Sequence, residues 1–305
     1  MKLEKVITDY YSSYDYKNLR DETKKQYEYF INVMRTTQVE GVALCQYNVQ
    51  DITTRIAKVS YNEWCEKGIH MANHIISATR IVFNHGVRME LCLLNPFANV
   101  RKRATERRKT VWSREHVQKL LDVAYSDFST RNLGLIAHMA YEWCQRLGDI
   151  RVLTWNNIDF DTQTVHIEQS KRRADVHLPI SDDLCDMLKQ QEHDFGFQQY
   201  VAPRPNPIKG VYKPYSLQKL PLHARKLMQQ AGLPDELRLS DLRRTGTTEM
   251  VEAGVGIGQI MSVTGHANPS SVKPYMKNTL RSANYALTER NKHGTSITSA
   301  AKESV

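Results

Sequence analysis

Apolar residues recur at helical spacing through the first hundred positions. Between 11 and 36, Tyr27, Phe30, Ile31 and Met34 share a face, 52–67 follows, and 71–87 carries Ile75, Ile76, Ile81 and Phe83. Short polar connections, Gln38-Val-Glu-Gly41 and Lys67-Gly-Ile69, join them, so the pattern predicts a small helical bundle over 7–100. Asn95-Pro96 ends it, because proline disfavours the helical region for the residue before it.

Past Val111 a second unit begins. Ser113 is placed to cap a helix over 113–125, with Val117, Leu120, Leu121 and Ala124 on one face, and 133–144 continues helical. The period then changes to two. Ile158-Asp-Phe160, Thr164-Val-His-Ile-Glu168 and Val176-His-Leu-Pro179 read as short strands of an antiparallel sheet. Helices return over 181–193, over 216–231 with Gly232 as the cap, and from Ser240 onward. The expected fold is mainly α with a small antiparallel β-sheet in the C-terminal domain. Its divisions are 1–100, a linker at 101–110, a domain at 111–288, and a Ser/Thr/Ala-rich tail at 289–305.

Charge sharpens this division. The 305 residues carry a net +9, a balance that points to an anionic partner. Residues 1–100 contribute +1 and 111–305 contribute +3, whereas 101–110 contribute +5. That stretch holds Arg101, Lys102, Arg103, Arg107, Arg108 and Lys109 and no apolar side chain larger than alanine, so it reads as a strap along phosphates. No run of 18 apolar residues exists, the N-terminus lacks a signal core, and the five cysteines form no CxxC pair. A cytoplasmic, reducing setting without membrane contact is expected. His70 and His74 share a helix face without a third ligand nearby in sequence, so no metal is expected.

Several stretches of the second unit offer groups suited to phosphate. Arg146 lies beside Gly148, which interrupts a helical pattern, and Asp149, Leu153 and Trp155 follow. Ser170-Lys171-Arg172-Arg173 occupies the turn between two strands. Leu239-Ser240-Asp-Leu-Arg243-Arg-Thr245 comes next, then Thr264-Gly265-His266, with Tyr275 nine residues past the histidine. Singly these have ordinary readings: a surface arginine, a solvated basic turn, a Gly-His turn, one of 15 tyrosines.

Their order and spacing resemble the tyrosine recombinases, the phage integrase family. In that family the first arginine lies in Thr-Gly-x-Arg-x-x-Glu-x-x-x-Leu-x-Trp-x-Asp, the lysine in a hairpin turn such as Ser-Lys-Thr, and the second arginine in His-x-x-Arg-His-Thr. A Leu-Gly-His box and the tyrosine nucleophile follow. The matching positions here are Arg146, Lys171, Arg243, His266 and Tyr275. Ser240 stands where the family usually has histidine; its hydroxyl can orient a phosphate but does not titrate near neutral pH. Val272 replaces a frequent threonine.

The resemblance implies a two-domain DNA clamp: a helical core-DNA-binding (SAM-like) domain and a catalytic domain joined by the basic linker. It implies a site-specific recombinase or integrase, acting in a bacterial or phage-infected cell at the nucleoid. Such an enzyme cleaves and rejoins strands through a 3′-phosphotyrosyl intermediate, with no cofactor, metal or ATP. The partners implied are double-stranded recombination sites and three further copies, giving a tetramer on DNA from a monomer in solution. An accessory or directionality factor fits the same picture. Tyr275 would be the nucleophile, Arg146 and Arg243 the phosphate clamp, Lys171 the general acid, His266 a phosphate or proton partner, and Ser240 an orienting hydroxyl; Arg172 and Arg173 would touch the backbone beside Lys171. The helices begin within about ten residues of Met1, which leaves no space for an arm-binding domain and favours a simple-site recombinase or compact integrase. Two rivals share the scaffold: a type IB topoisomerase-like enzyme, and a DNA-binding protein without catalysis, which Ser240 would favour.

Overall fold

The computed structural model describes residues 1–106, 108–171, 173–276 and 280–293. The chain separates into two compact units, Met1–Arg108 and Lys109–Val305. Arg107, Arg172 and the stretch 294–305, which takes in most of the expected tail, lie outside the described residues.

The first unit opens with α1 (Leu3–Ser12), whose Leu3, Val6, Ile7 and Tyr10 form one buried face. The Ser13 hydroxyl then accepts from the Tyr16 N–H and starts the single turn α2 (Tyr14–Lys17), before α3 (Asp21–Thr36). The helix expected over 11–36 is therefore broken, and helix begins earlier. A serine hydroxyl offers the backbone an alternative to continuing the helix, and here that alternative wins. The 38–41 connection is a miniature hairpin, β1 (Gln38–Val39) against β2 (Val42–Ala43), turned at Glu40 and Gly41, both with positive φ. Next come α4 (Thr54–Glu66) and α5 (Ile69–Arg88), with α5 packed against α1, α3 and α4. Trp64 stacks on Phe97 with centroids 6.0 Å apart, and its indole N–H is satisfied by Thr37 Oγ1 at 2.8 Å.

Ser113 opens the second unit's first helix, α6 (Arg114–Tyr125), by accepting from the His116 N–H at 3.1 Å. Its four predicted apolar positions are all buried. Ser113→Ala should lower stability by about 1 kcal/mol, read as a shift in the denaturant midpoint at constant m-value. The core helix α7 (Phe128–Glu142) packs on α6 and leads into the single turn α8 (Leu147–Ile150). The sheet follows: β3 (Ile158–Asp159), β4 (Thr164–Glu168) and β5 (Asp175–Pro179), antiparallel in that order. Val165, Ile167, Val176 and Leu178 point into the core and alternate with exposed residues, as the period of two predicts.

Ser181 caps α9 (Asp182–Phe195). The next helix, α10 (Leu220–Gln230), starts four residues after the expected Ser216, because Pro221 fits only the first turn. Three further helices close the unit: α11 (Leu242–Glu252), α12 (Ile257–Thr264) and α13 (Leu280–His293). Among the described residues, no helix is long and apolar enough to cross a membrane.

Candidate active site

The site forms around the C-terminal end of α12, where the last carbonyls of any helix lack intrahelical donors. Gln145 Nε2 donates to Val263 O at 2.7 Å, and Gln169 Nε2 donates to Thr264 O at 2.8 Å. Arg243 Nη2 also donates to Thr264 O at 2.8 Å, while its Nη1 reaches Cys144 O at 2.9 Å. A cation at this end is favoured by the helix dipole as well. Arg243 is thus held by neutral carbonyls rather than by a carboxylate. Burial, and then the nearby charge of Arg146, push it down to about 10. It stays protonated at neutral pH with its charge available to an incoming anion.

Two backbone features permit this convergence. Cys144, two residues past the end of α7, adopts φ 51, which turns the chain so that its carbonyl faces Arg243. Gly265 caps α12 at φ 67, and a Cβ there would also lie 2.7 Å from Cδ of Gln169. Conformation and space both demand glycine.

Arg146 stands at the start of α8 with its side chain 28% exposed. Its Nη1 donates to Gln169 Oε1 at 2.7 Å and lies 3.8 Å from Asp149 Oδ2. Asp149, 1% exposed, accepts at Oδ1 from both the N–H and the hydroxyl of Ser170, at 3.1 and 2.5 Å. Two charges far apart in sequence, Arg146 and Arg243, are thereby fixed around one amide network.

His266 Nδ1 lies 2.6 Å from Thr264 Oγ1, whose hydroxyl donates to Ile260 O at 2.7 Å. Because that hydroxyl proton is committed, Nδ1 carries the ring proton and Nε2 holds the lone pair, 3.4 Å from Arg243 Nη2. Tyr275 sits in a 3-10 turn, Lys273–Tyr275, packed against α11. Its ring centroid is 5.9 Å from that of His266, and the Arg244 guanidinium lies 5.2 Å over its face.

The structure thus brings Arg146, Arg243, His266 and Tyr275 together. Lys171 is exposed in the β4–β5 turn, two residues beyond Gln169, and Arg173 is exposed beside it at φ 50. Ser240 is exposed on the 3-10 turn Leu239–Asp241 and lines a groove of about 460 Å³ with Leu147 and Leu222. Lys102 and Arg103 of the strap have partners of their own. Arg103 is tied to the first unit by its N–H to Tyr61 Oη, its carbonyl from Asn73 and its guanidinium to Asn62. Lys102 donates to Ser77 Oγ at 2.5 Å, and burial holds its pKa below the usual lysine range. Arg101 and Lys109 are exposed, and Arg108 is partly buried. Among the described residues no group of three His, Cys, Asp or Glu side chains is placed to hold a metal, and His74 stacks on Phe30 instead.

Gln145, Gln169 and Arg244 escaped the sequence reading. Gln169 carried a signal: it continues the inward series Val165, Ile167, and an amide at a core-facing strand position needs buried partners.

Residues 111–281 match the family model described as the phage integrase family. The chain belongs to that family, the tyrosine recombinases. A tyrosine recombinase of Pseudothermotoga lettingae is 22% identical over 211 residues, covering 66% of this chain and 68% of that protein. The fold is similar to a lambda integrase tetramer bound to a Holliday junction, with a TM-score of 0.74 at 18% identity over 91% of this chain and 78% of that one. It is similar also to the Tn1549 transposon integrase in complex with transposon right end DNA, with a TM-score of 0.76 at 16% identity over 96% and 100% of the two chains.

Proposed function

We propose that this protein is a site-specific DNA recombinase that cuts and rejoins strands through a 3′-phosphotyrosyl bond to Tyr275. The observation that carries this reading is the pair of arginines tied into one amide network, with Arg243 reaching His266 and His266 lying beside the ring of Tyr275. The phosphodiester gains charge in the transition state, and two fixed guanidinium groups supply the complementary charge without reorganising. Tyr275 Oη attacks phosphorus as its proton passes to His266 Nε2, which holds the lone pair because the Thr264 hydroxyl fixes the ring proton on Nδ1. The bond to the 5′ oxygen breaks, and Lys171 delivers a proton to that oxygen from its exposed turn. The reverse sequence, with a 5′ hydroxyl from another strand, rejoins the DNA. The phosphotyrosyl ester conserves the bond energy, so neither ATP nor a metal is needed.

The ligands of the similar structures, a Holliday junction and a transposon end, favour duplex recombination sites as the substrate. Four copies would then act on one four-way junction. Two linear duplexes carrying the junction recovered from DNA flanking the gene test the reading directly. Recombinant products are expected; relaxation of supercoiled plasmid without recombinants would indicate a topoisomerase instead.

The basic strap has its own signature. Replacing Arg101, Arg103 and Lys109 by glutamine should weaken binding to all sequences alike. The slope of log K against log salt should become shallower by about 0.9 for each phosphate that is no longer neutralised. A changed site preference with the slope intact would contradict this role.

A further inference from the structure

The buried amide of Gln169 joins Arg146 to the end of α12, a link that no motif residue makes. Its Oε1 accepts from Arg146 Nη1 at 2.7 Å, and its Nε2 donates both to Gln145 Oε1 at 2.7 Å and to Thr264 O at 2.8 Å. One acceptor and both amide protons are therefore in use, and the side chain is fully buried. Its backbone closes the base of the hairpin: the N–H donates to Ala174 O at 2.9 Å, and its carbonyl accepts from the Arg173 N–H at 2.8 Å. Lys171 projects from the four-residue loop that this pairing closes. Gly265, next to His266, is pressed against the same amide.

We propose that Gln169 is a positioning residue that sets the Arg146 guanidinium for phosphate and locks the hairpin of Lys171 to the turn bearing His266. The assignment rests on the recombinase reading. An amide is required for a specific reason. Glutamate would lose both donors, face two oxygens with a negative charge, and neutralise the arginine that must meet the phosphate. Leucine would fill similar volume and orient nothing. Gln145 continues the relay by bonding Trp143 O and Val263 O, so the two arginines share one set of dipoles.

The test uses Gln169→Leu and Gln169→Glu in the full chain, with thermal unfolding to confirm that each folds. The substrate is a nicked suicide duplex built on the junction from DNA flanking the gene, and cleavage is measured at saturating DNA. With the duplex saturating, both variants should cleave about 100-fold or more slowly, the range for removing one fixed electrostatic donor. A duplex with a neutral methylphosphonate at the scissile position separates positioning from general disruption. Arg146 has less charge to stabilise there, so the Gln169→Leu defect should shrink by about tenfold relative to the ordinary phosphate. An equal defect on both substrates, or wild-type cleavage by Gln169→Leu, overturns the proposal.

If the wild-type chain forms no adduct, the recombinase reading fails, and Gln169 is then judged by affinity alone. In a Tyr275→Phe background, preference for phosphate over methylphosphonate at that position should vanish with Gln169→Leu. Its persistence refutes the assignment.

Discussion

Tyr275→Phe should abolish the covalent protein–DNA adduct on a nicked suicide duplex while leaving duplex affinity unchanged. The substitution removes only the phenolic oxygen. The ring that lies under Arg244 and beside His266 stays, so the turn Lys273–Tyr275 keeps its packing. That oxygen is the proposed nucleophile, so the expected loss is total rather than graded. Gel-shift titration and denaturing electrophoresis on the same samples separate the two effects. Adduct formation by the variant would redirect attention to Tyr285, which lies against Gly254.

Arg243→Lys is the second large effect expected. Charge is preserved, yet the guanidinium now spans Cys144 O and Thr264 O with separate nitrogens and approaches His266 as well. An ammonium is a point donor and cannot serve those carbonyls while also meeting a phosphate in fixed geometry. Cleavage at saturating DNA should fall about 10²–10³-fold, with a much smaller change in affinity. A loss below about tenfold would mean that charge alone suffices and that the carbonyl cradle has no catalytic consequence.

These expectations rest on features that the sequence displays unevenly. Alternation in β4 and β5 announced the sheet, and Ser113 announced its helix, because both signals are local. The order of Arg146, Lys171, Arg243, His266 and Tyr275 was legible as a family pattern. What joins them was not. Arg243 bonds a carbonyl at the end of α12, and Arg146 is linked to that same carbonyl through the Gln169 amide. Such pairing is set by tertiary packing and leaves no periodic trace, apart from one polar residue at a core-facing position. Cys144 illustrates the same limit: its left-handed backbone is imposed by the turn between α7 and α8, not by its own preference. The break at Ser13 and the late start of α10 are smaller cases, decided by one hydroxyl and one proline.

Identification of the amino acid bonded to DNA tests the central claim most directly. The wild-type chain is trapped on the nicked duplex, digested with protease and nuclease, and the peptide carrying residual nucleotide is sequenced by mass spectrometry. The account predicts a 3′-phosphate ester on Tyr275 and on no other residue. An ester on a different side chain, a 5′-linked nucleotide, or no adduct from a folded, DNA-bound protein would contradict it.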